Sequence, residues 1–420
     1  MKLQLKDRYI YIVAVINALL LICFGETKIF YDTQSYISAW EASISHLKID
    51  ILRTPIYPLF IGLCKIFGGD FWKVVVLLQN VIFLFSVFYF KKITSLFIES
   101  KNVVFIITIL YIITPGICHW TNCILTEALA ISGTVFLFYN ILYFITTNKW
   151  SYILYSTLWL LFLVFLRPSF IYLLFICLLA WIYMLKKDKK KAIYGISGVL
   201  IVISLYCGYC FKFKEYYGIF ATSSVGTLNQ TYIALQYDLL QPEFTDVLEF
   251  KNDIKKKYNK EHGAIWAISN EYISKYGLKT VQESIEKSLH TYPLTWIRKA
   301  FHRIRLSSQD HTVSYLGFNY GKILNMFFYG LSVSLFHLYI FIIMYFVILF
   351  YWMIKTKTSF TVSFLIWLAV AGNIFVSVVG AQAEWGRLIA PSAPLLLIML
   401  GQVTNYISIK TTSDNKDILI

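Results

Sequence analysis

A small set of charged residues beside long apolar runs provides the first candidates for chemistry in this sequence. They are Glu26, Asp32, Glu41, Arg53, His119, Glu127, Arg167, Glu384 and Arg387. Ionisable groups inside or beside a membrane span are costly to keep there, so they are functional hypotheses by default. A carboxylate can take a proton from an attacking hydroxyl, and the guanidinium fork of arginine binds phosphate bidentately. The residue types therefore favour proton transfer next to a phosphate group.

The apolar runs that flank these residues dominate the composition. The chain has 420 residues, of which 58% are hydrophobic and 15% are charged. A soluble globular protein is about 45–50% apolar and about 25% charged. Disordered, coiled-coil, collagen-like and disulfide-rich secreted chains are excluded by the same comparison. The sequence therefore predicts an all-α polytopic membrane protein.

Ten apolar runs are long enough to cross a bilayer, which takes about 20 residues. They fall at 9–25, 71–90, 102–118, 124–145, 151–166, 169–185, 192–211, 327–353, 359–380 and 388–408. A further run at 56–67 is shorter and flanked by proline, which predicts a re-entrant or interfacial helix. The runs divide the chain into a membrane body at 1–211, with a first outer loop at 26–70, a soluble-looking segment at 212–326, and a second membrane body with a short tail at 327–420.

The basic residues set the predicted orientation. With ten spans and a cytoplasmic N-terminus, every lysine-rich short loop, such as 186–191, lies on the cytoplasmic side. Both termini are then cytoplasmic, and the candidate residues share the outer face of an inner or plasma membrane. The net charge of +15 is interpreted as this bias, and no nucleic-acid-binding motif accompanies it, so we expect no nucleic-acid partner.

The segment 212–326 is expected to be mostly helical, with helices around 243–260, 263–276 and 278–290. Farther along, Trp296, Ile297, Phe301 and Ile304 recur at helical spacing among basic residues, which is typical of an amphipathic helix lying on a lipid surface.

The order of the motifs resembles the bacterial membrane glycosyltransferases of the GT-C fold, relatives of the protein O-mannosyltransferases and the lipid A aminoarabinose transferase (glycosyltransferase family 39). In these enzymes an acidic Asp-x-x-x-Tyr loop follows the first span, and a basic residue with a Pro-x-Tyr-Pro helix comes about 20 residues later. The matching segments cover about 1–210 and 380–408, and they are 31–36, 52–60, 125–130, 166–168 and 387–394.

The resemblance implies roles for individual residues. Asp32 would be the general base with Glu127 in support, and Glu127 would orient an arginine, bind sugar hydroxyls or share a divalent cation with Asp32. Substrate binding would fall to Arg53, Tyr36, Tyr57, Arg167, Arg387 and His119. The chain departs from many relatives at Thr33, where they carry a second acid, which weakens the case for a bound metal. Asp32 also suits the N-cap of a helix starting at Thr33.

The activity implied is transfer of a sugar from a polyprenyl-phosphate donor to a cell-envelope glycan, lipid or polymer, such as a lipopolysaccharide, at the outer face. An O-antigen-type ligase or polymerase is an alternative, because the large outer segment holds Arg298, Arg303, His302 and His311. A lipid or glycan transporter is a further alternative, although only Gln79 and Asn373 stand out as isolated polar residues within spans.

Overall fold

The computed structural model describes residues 5–46, 48–237, 239–240, 264–307, 339–356, 361–381 and 384–417. These residues form α-helices joined by short turns, with one isolated parallel bridge between Lys28 and Cys123. The helices are α1 Leu5–Phe24, α2 Tyr31–His46, α3 Ile56–Lys65, α4 Phe71–Phe97, α5 Lys101–Ile113, α6 Pro115–Cys118, α7 Glu127–Thr147, α8 Ser151–Leu166, α9 Tyr172–Met184, α10 Lys189–Tyr217, α11 Val225–Gln236, α12 Ala264–Tyr276, α13 Leu278–Thr291, α14 Pro293–Ser307, α15 Tyr339–Thr356, α16 Thr361–Gly380, α17 Trp385–Ile389 and α18 Ala393–Asp417.

The all-α polytopic class is confirmed. Among the described residues, six helices are long and apolar enough to cross a membrane, and a seventh is added if the bent pair Lys101–Ile113 and Pro115–Asn122 forms one span. Shorter apolar helices occupy Ile56–Lys65, Ser151–Leu166, Pro168–Met184 and Ile342–Tyr351. That these shorter helices also cross the membrane, and hence the total of ten spans, stays a prediction.

Helix α7 is the central helix of the membrane body. Of its most apolar 18-residue stretch, 89% is buried, and it packs against α4 and α8. Its first residue is Glu127, so the most enclosed helix of the bundle carries this carboxylate at one of its ends.

The chain before α7 is folded so that it meets the loop at 26–70. Pro115 follows α5, and the chain bends there by 58° because proline cannot continue the preceding helix. A 3₁₀ turn at His119–Asn122 follows. The Lys28 amide then donates to Asn122 O (2.9 Å) and the Ile124 amide donates to Lys28 O (3.0 Å). These bonds hold the approach to α7 beside the approach to α2.

The segment predicted at 212–326 begins with the last turns of α10 and continues with α11 to α14. Two predicted helices, at 263–276 and 278–290, correspond to α12 and α13, whereas the one at 243–260 lies outside the described residues. A small apolar cluster joins α11 to α14, and its largest members are Tyr272, Ile285 and Trp296. The division into three domains stays a prediction.

Candidate active site

The Asp32 carboxylate lies between two arginines. Its Oδ1 accepts a hydrogen bond from Arg53 Nη2 (2.7 Å) and its Oδ2 accepts one from Arg387 Nη2 (2.8 Å). Asp32 belongs to the first turn of α2, but the backbone there is capped by Thr33, whose hydroxyl accepts from the Phe30 amide (2.9 Å). Because both carboxylate oxygens bind guanidinium groups, the interpretation of Asp32 as a helix cap is wrong.

Arg53 is oriented by the loop that carries it and by the face of α2. Its amide and that of Leu52 donate to Asp50 Oδ1 (2.6 and 2.8 Å), which forms a tight turn of the kind aspartate favours. Its Nε donates to Ser35 Oγ (2.7 Å), and its guanidinium carbon lies 4.4 Å from the centre of the Tyr36 ring. The guanidinium is thus fixed in position and stacked on an aromatic ring, as arginine allows.

Arg387 connects three carboxylates that are distant in sequence. Besides Asp32, it donates through Nε to Glu127 Oε1 (2.8 Å) and through Nη1 to Glu384 Oε2 (2.7 Å). Its side chain is only 10% exposed. Glu384 has φ 58°, a left-handed conformation that is uncommon for residues other than glycine and asparagine. Glu384 therefore adopts an unfavourable backbone conformation beside the cluster, as residues at functional sites often do.

Glu127 is fully buried and keeps an unused hydrogen-bonding atom. Its Oε1 accepts from Arg387 and lies 3.4 Å from Arg167 Nη1. Its Oε2 and Arg167 Nη1 are buried atoms without a hydrogen-bond partner in the described part of the chain. An unsatisfied buried polar group costs about 1–3 kcal/mol. These two atoms leave one strong acceptor and one strong donor available to a ligand.

The two guanidinium groups determine the charge of Asp32. Burial favours the neutral acid, but Arg53 and Arg387 outweigh it and lower the pKa of Asp32 from 3.8 to about 2. Asp32 is therefore a weak base in the protein without substrate. Since the folded-state pKa is depressed, ionised Asp32 stabilises the fold above pH 3.8, and this contribution is lost as the pH falls towards about 2.

The geometry between Asp32 and Glu127 fits a guanidinium better than a divalent cation. Arg387 occupies the space between them and binds one oxygen of each. A cation such as Mg²⁺ needs several oxygen ligands in near-octahedral geometry, and the described residues contain no cluster of three metal-ligating side chains. Thr33, which stands where many relatives carry a second acid, is fully buried and donates to Ile124 O (3.0 Å). This position therefore holds two chain segments together.

Replacing Thr33 by valine tests that positioning role. Thr33→Val keeps the shape but removes the bond to Ile124 O and the acceptor for the Phe30 amide. We expect a loss of about 1–3 kcal/mol of stability, because a buried carbonyl is left unpaired, together with a lower transfer rate. The midpoint of thermal unfolding in detergent measures the first effect. Thr33→Ser, which keeps the hydroxyl, is the control and should restore most of the loss; equal stability of both variants would contradict the role.

Two predicted binding residues lie behind the cluster. Tyr57 is fully buried, its ring meets that of Tyr36 edge to face at 4.8 Å, and its hydroxyl donates to Gln79 Oε1 (3.1 Å). His119 is also buried, in the 3₁₀ turn before α7. The structure thus brings together Asp32, Arg53, Tyr36, Glu127, Arg167 and Arg387, and places Tyr57 where it supports Tyr36.

The isolated polar residues that a transporter would use are occupied in holding turns. Gln79 Nε2 donates to Thr121 O and Cys123 O (both 2.9 Å), just before α7. Asn373 Nδ2 donates to Ile389 O (3.2 Å), at the end of α17. Both side chains therefore stabilise the segments that carry Glu127 and Arg387, while Asn373 Oδ1 is buried without a hydrogen-bond partner among the described residues.

Arg303, a candidate for the ligase alternative, braces the end of a helix. Its side chain is buried, Nη2 donates to Val379 O (3.0 Å) and Nη1 donates to Ala381 O (3.4 Å). These carbonyls end α16, where cations are favourable, and burial lowers the pKa of Arg303 to about 10. By contrast, His302 is exposed, and His311 lies outside the described residues.

We expect Arg303→Met to act through stability. The variant leaves the last carbonyls of α16 without their donors and loosens α14 from α16, so the unfolding midpoint should fall while the KM for substrate changes little. The adjacent exposed residue supplies the control, and His302→Ala should behave as wild type in both measurements. A fully stable Arg303→Met protein without activity would contradict the bracing role and favour the ligase alternative.

Sequence reasoning missed three residues that build the site. Ser35 holds Arg53 and follows Asp32 by three positions, which places both on one face of a helix. Asp50 shapes the turn that carries Arg53. Aspartate three residues before the end of a turn is typical of this role. Thr33 was noted only as the position where many relatives carry a second acidic residue. No signal in the sequence showed that 31–46 is helical throughout.

Comparisons with known proteins add a likeness to a solved structure. No family profile and no curated protein matches the chain. Among solved structures, the archaeal oligosaccharyltransferase AglB from Archaeoglobus fulgidus, in complex with an inhibitory peptide and a dolichol-phosphate, matches at 14% identity with a TM-score of 0.49. The match covers 97% of this chain and 51% of that one, so the chain spans about half the length of AglB. The site is therefore interpreted from its own residues.

Proposed function

We propose that this chain is a membrane glycosyltransferase of the GT-C type, which moves a sugar from a polyprenyl-phosphate donor to a cell-envelope acceptor. The observation that carries the proposal is that Arg53 and Arg387 each form an ion pair with the Asp32 carboxylate, at one end of a helix bundle. A proton acceptor and two phosphate-binding groups are then in direct contact, in a protein whose body is built for lipid.

The two arginines suit the phosphate of the donor. Each already binds an anionic oxygen at 2.7–2.8 Å, the distance of a charge-assisted hydrogen bond. When the bond between the sugar and the phosphate breaks, negative charge builds up on the phosphate oxygens, and fixed cations there lower the barrier. Arg53 and Arg387 would therefore stabilise the leaving group.

Asp32 would act as base once the phosphate has engaged the arginines. In the free protein the guanidinium groups hold its pKa at about 2, which is too low for an efficient base. A phosphate that draws them away would raise that pKa. The acceptor hydroxyl would then transfer its proton to Asp32 while its oxygen bonds to the anomeric carbon. The bond from that carbon to the phosphate oxygen breaks, and its electron pair leaves with the lipid phosphate.

Glu127 and Arg167 would hold the sugar. Glu127 Oε2 and Arg167 Nη1 lack hydrogen-bond partners among the described residues, and a sugar hydroxyl can donate to the first and accept from the second. Glu127 also binds Arg387 directly, so it would orient the phosphate-binding group from the opposite side to Asp32.

The distribution of basic residues supports an outer-face site. Helix α7 has 21 residues, so its two ends lie about 30 Å apart. Glu127 begins the helix, and at the other end Asn148 bonds Asp188 and Lys191 of the lysine-rich run 186–191. Because such runs stay on the cytoplasmic side, the ion cluster would face the opposite compartment, where a sugar arrives on a lipid.

The pH dependence of the rate tests the coupling between phosphate and base. The acid limb of kcat/KM reports the free protein and that of kcat reports the complex. With the pKa of free Asp32 at about 2, we expect no loss of kcat/KM from this group in mildly acidic buffer. In contrast, kcat should begin to fall at a higher pH than kcat/KM does, because protonation removes the base in the complex. Coincident acid limbs for the two parameters would contradict the coupling.

Cleavage of a donor by the purified protein tests the proposed function. The protein in detergent would be incubated with radiolabelled polyprenyl-phosphate sugars, and release of free polyprenyl phosphate would be measured. We expect release from one or a few members of the panel. Folded protein that cleaves no member of the panel would count against this function.

A further inference from the structure

A polar cavity lies in the outer segment, apart from the ion cluster. It has a volume of about 780 Å³ and is bordered by the end of α10, the loop 218–224, α11 and α13. Its lining includes Ser223, Thr227, Lys279, Gln282 and Glu286. Cavities of about 300–1,000 Å³ are typical of sites for small ligands.

The polar groups of the cavity form an ordered chain. Thr227 donates to Gln282 Oε1 (2.7 Å), and Gln282 Nε2 donates to Glu286 Oε1 (2.8 Å). Ser223 is only 5% exposed, yet its hydroxyl has no partner in the described part of the chain. A buried hydroxyl left unpaired beside an open cavity is expected to bind something that enters it.

The lining matches an uncharged ligand with many hydroxyls. Lys214 and Lys279 balance Glu283 and Glu286 in charge, so the cavity favours neither an anion nor a cation. Amide, hydroxyl and carboxylate groups together offer both donors and acceptors. The half-exposed ring of Phe220 adds an apolar surface. Hydroxyl groups bound to an apolar carbon frame are the chemistry of a sugar.

The wall of the cavity is joined to the loop that carries Arg53. The Ser224 amide donates to Ile51 O (2.7 Å), two residues before Arg53, and the Tyr217 hydroxyl donates to Ile49 O (2.6 Å). A ligand held in the cavity would therefore lie beside the first outer loop, on the same side of the membrane body as Asp32.

We infer that the cavity bordered by Ser223, Thr227 and Gln282 binds the glycan end of the acceptor. This inference rests on the proposed function, since it assigns the acceptor of that reaction to a polyhydroxylated class. The loop contacts would then hold the acceptor beside Arg53 while its terminal hydroxyl reaches Asp32.

Gly226 provides a variant that fills the cavity without disturbing the fold. Gly226 borders the cavity, and a Cβ built there meets no atom within 4 Å. Gly226→Trp should therefore fold and occupy the space, whereas Gly226→Ala adds one methyl group and serves as the matched control. Gln282→Leu removes the central amide at similar volume and provides a second variant.

The experiment is binding of the purified full chain in detergent to a printed array of lipid-free oligosaccharides. We expect wild type and Gly226→Ala to bind the same glycans, and Gly226→Trp and Gln282→Leu to bind them at least tenfold more weakly. Binding that is unchanged in Gly226→Trp, or a wild-type chain that binds no glycan, overturns the acceptor site. Failure of wild type to cleave any donor overturns the proposed function instead, and glycan binding on the array does not depend on that result.

Discussion

Replacing Arg387 by glutamine is expected to destabilise the protein and abolish transfer. The change removes the common partner of Asp32, Glu127 and Glu384. Glu127 is completely buried, and Arg167 at 3.4 Å is its only other cationic partner in the described residues. Leaving one charge of a buried pair unmatched costs about 3–5 kcal/mol. We therefore expect a large fall in the unfolding midpoint and loss of donor cleavage.

An exposed ion pair supplies the control for Arg387. Lys65 binds Glu41 at 2.7 Å, but Glu41 is 57% exposed, and such pairs contribute about 0–1 kcal/mol. Lys65→Met should thus unfold close to wild type. Arg387→Lys keeps the charge but cannot bind three carboxylates through a fork, so it should restore stability only in part. Wild-type stability of Arg387→Gln would show that the three ion pairs are not the structural centre assigned here.

The second large effect is expected from Asp32→Asn. The amide keeps the shape and can still accept from one arginine, but it cannot take a proton. Loss of a general base typically lowers the rate by about 10²–10⁴-fold, and we expect a loss of that size in kcat. Binding of the donor should be retained or strengthened, because Arg53 and Arg387 are released from the competing carboxylate.

Glu41 offers a matched control for Asp32. It lies on the same helix, α2, and pairs with a single lysine at the surface. Glu41→Gln makes the same chemical change outside the cluster and should leave kcat and the unfolding midpoint near wild type. A rate loss shared by both variants would point to the fold of α2 and not to a proton transfer at Asp32.

Much of the membrane body could be predicted from apolar runs alone. A run near 20 residues must become a helix in lipid, because every backbone group has to be paired internally, and each predicted span contains a helix in its described residues. A helix near Thr33 was considered only through the possible cap at Asp32. The extent of α2 to His46 was not predicted because its sequence is mixed, and contacts with Ile124 and Arg53 fix its position. The bend after α5 follows from Pro115, yet its angle depends on packing.

The sequence could predict which residues belong to the candidate site, but not which of them contact each other. Asp32, Arg53, Glu127, Arg167 and Arg387 were recognised because charges at the ends of spans are rare. Their contacts span up to 355 residues of sequence, and such pairing depends on how the helices pack. For the same reason the direction of the Asp32 pKa could not be derived from the sequence, since it needs both guanidinium groups in place.

The measurement that tests the central claim most directly is release of radiolabelled polyprenyl phosphate by wild type and Asp32→Asn, side by side in detergent. The account predicts release by wild type, a loss of about 10²–10⁴-fold in the variant, and retained binding of the donor by both. Equal release by the two proteins would contradict the role of Asp32 as the base of a transfer from a lipid phosphate.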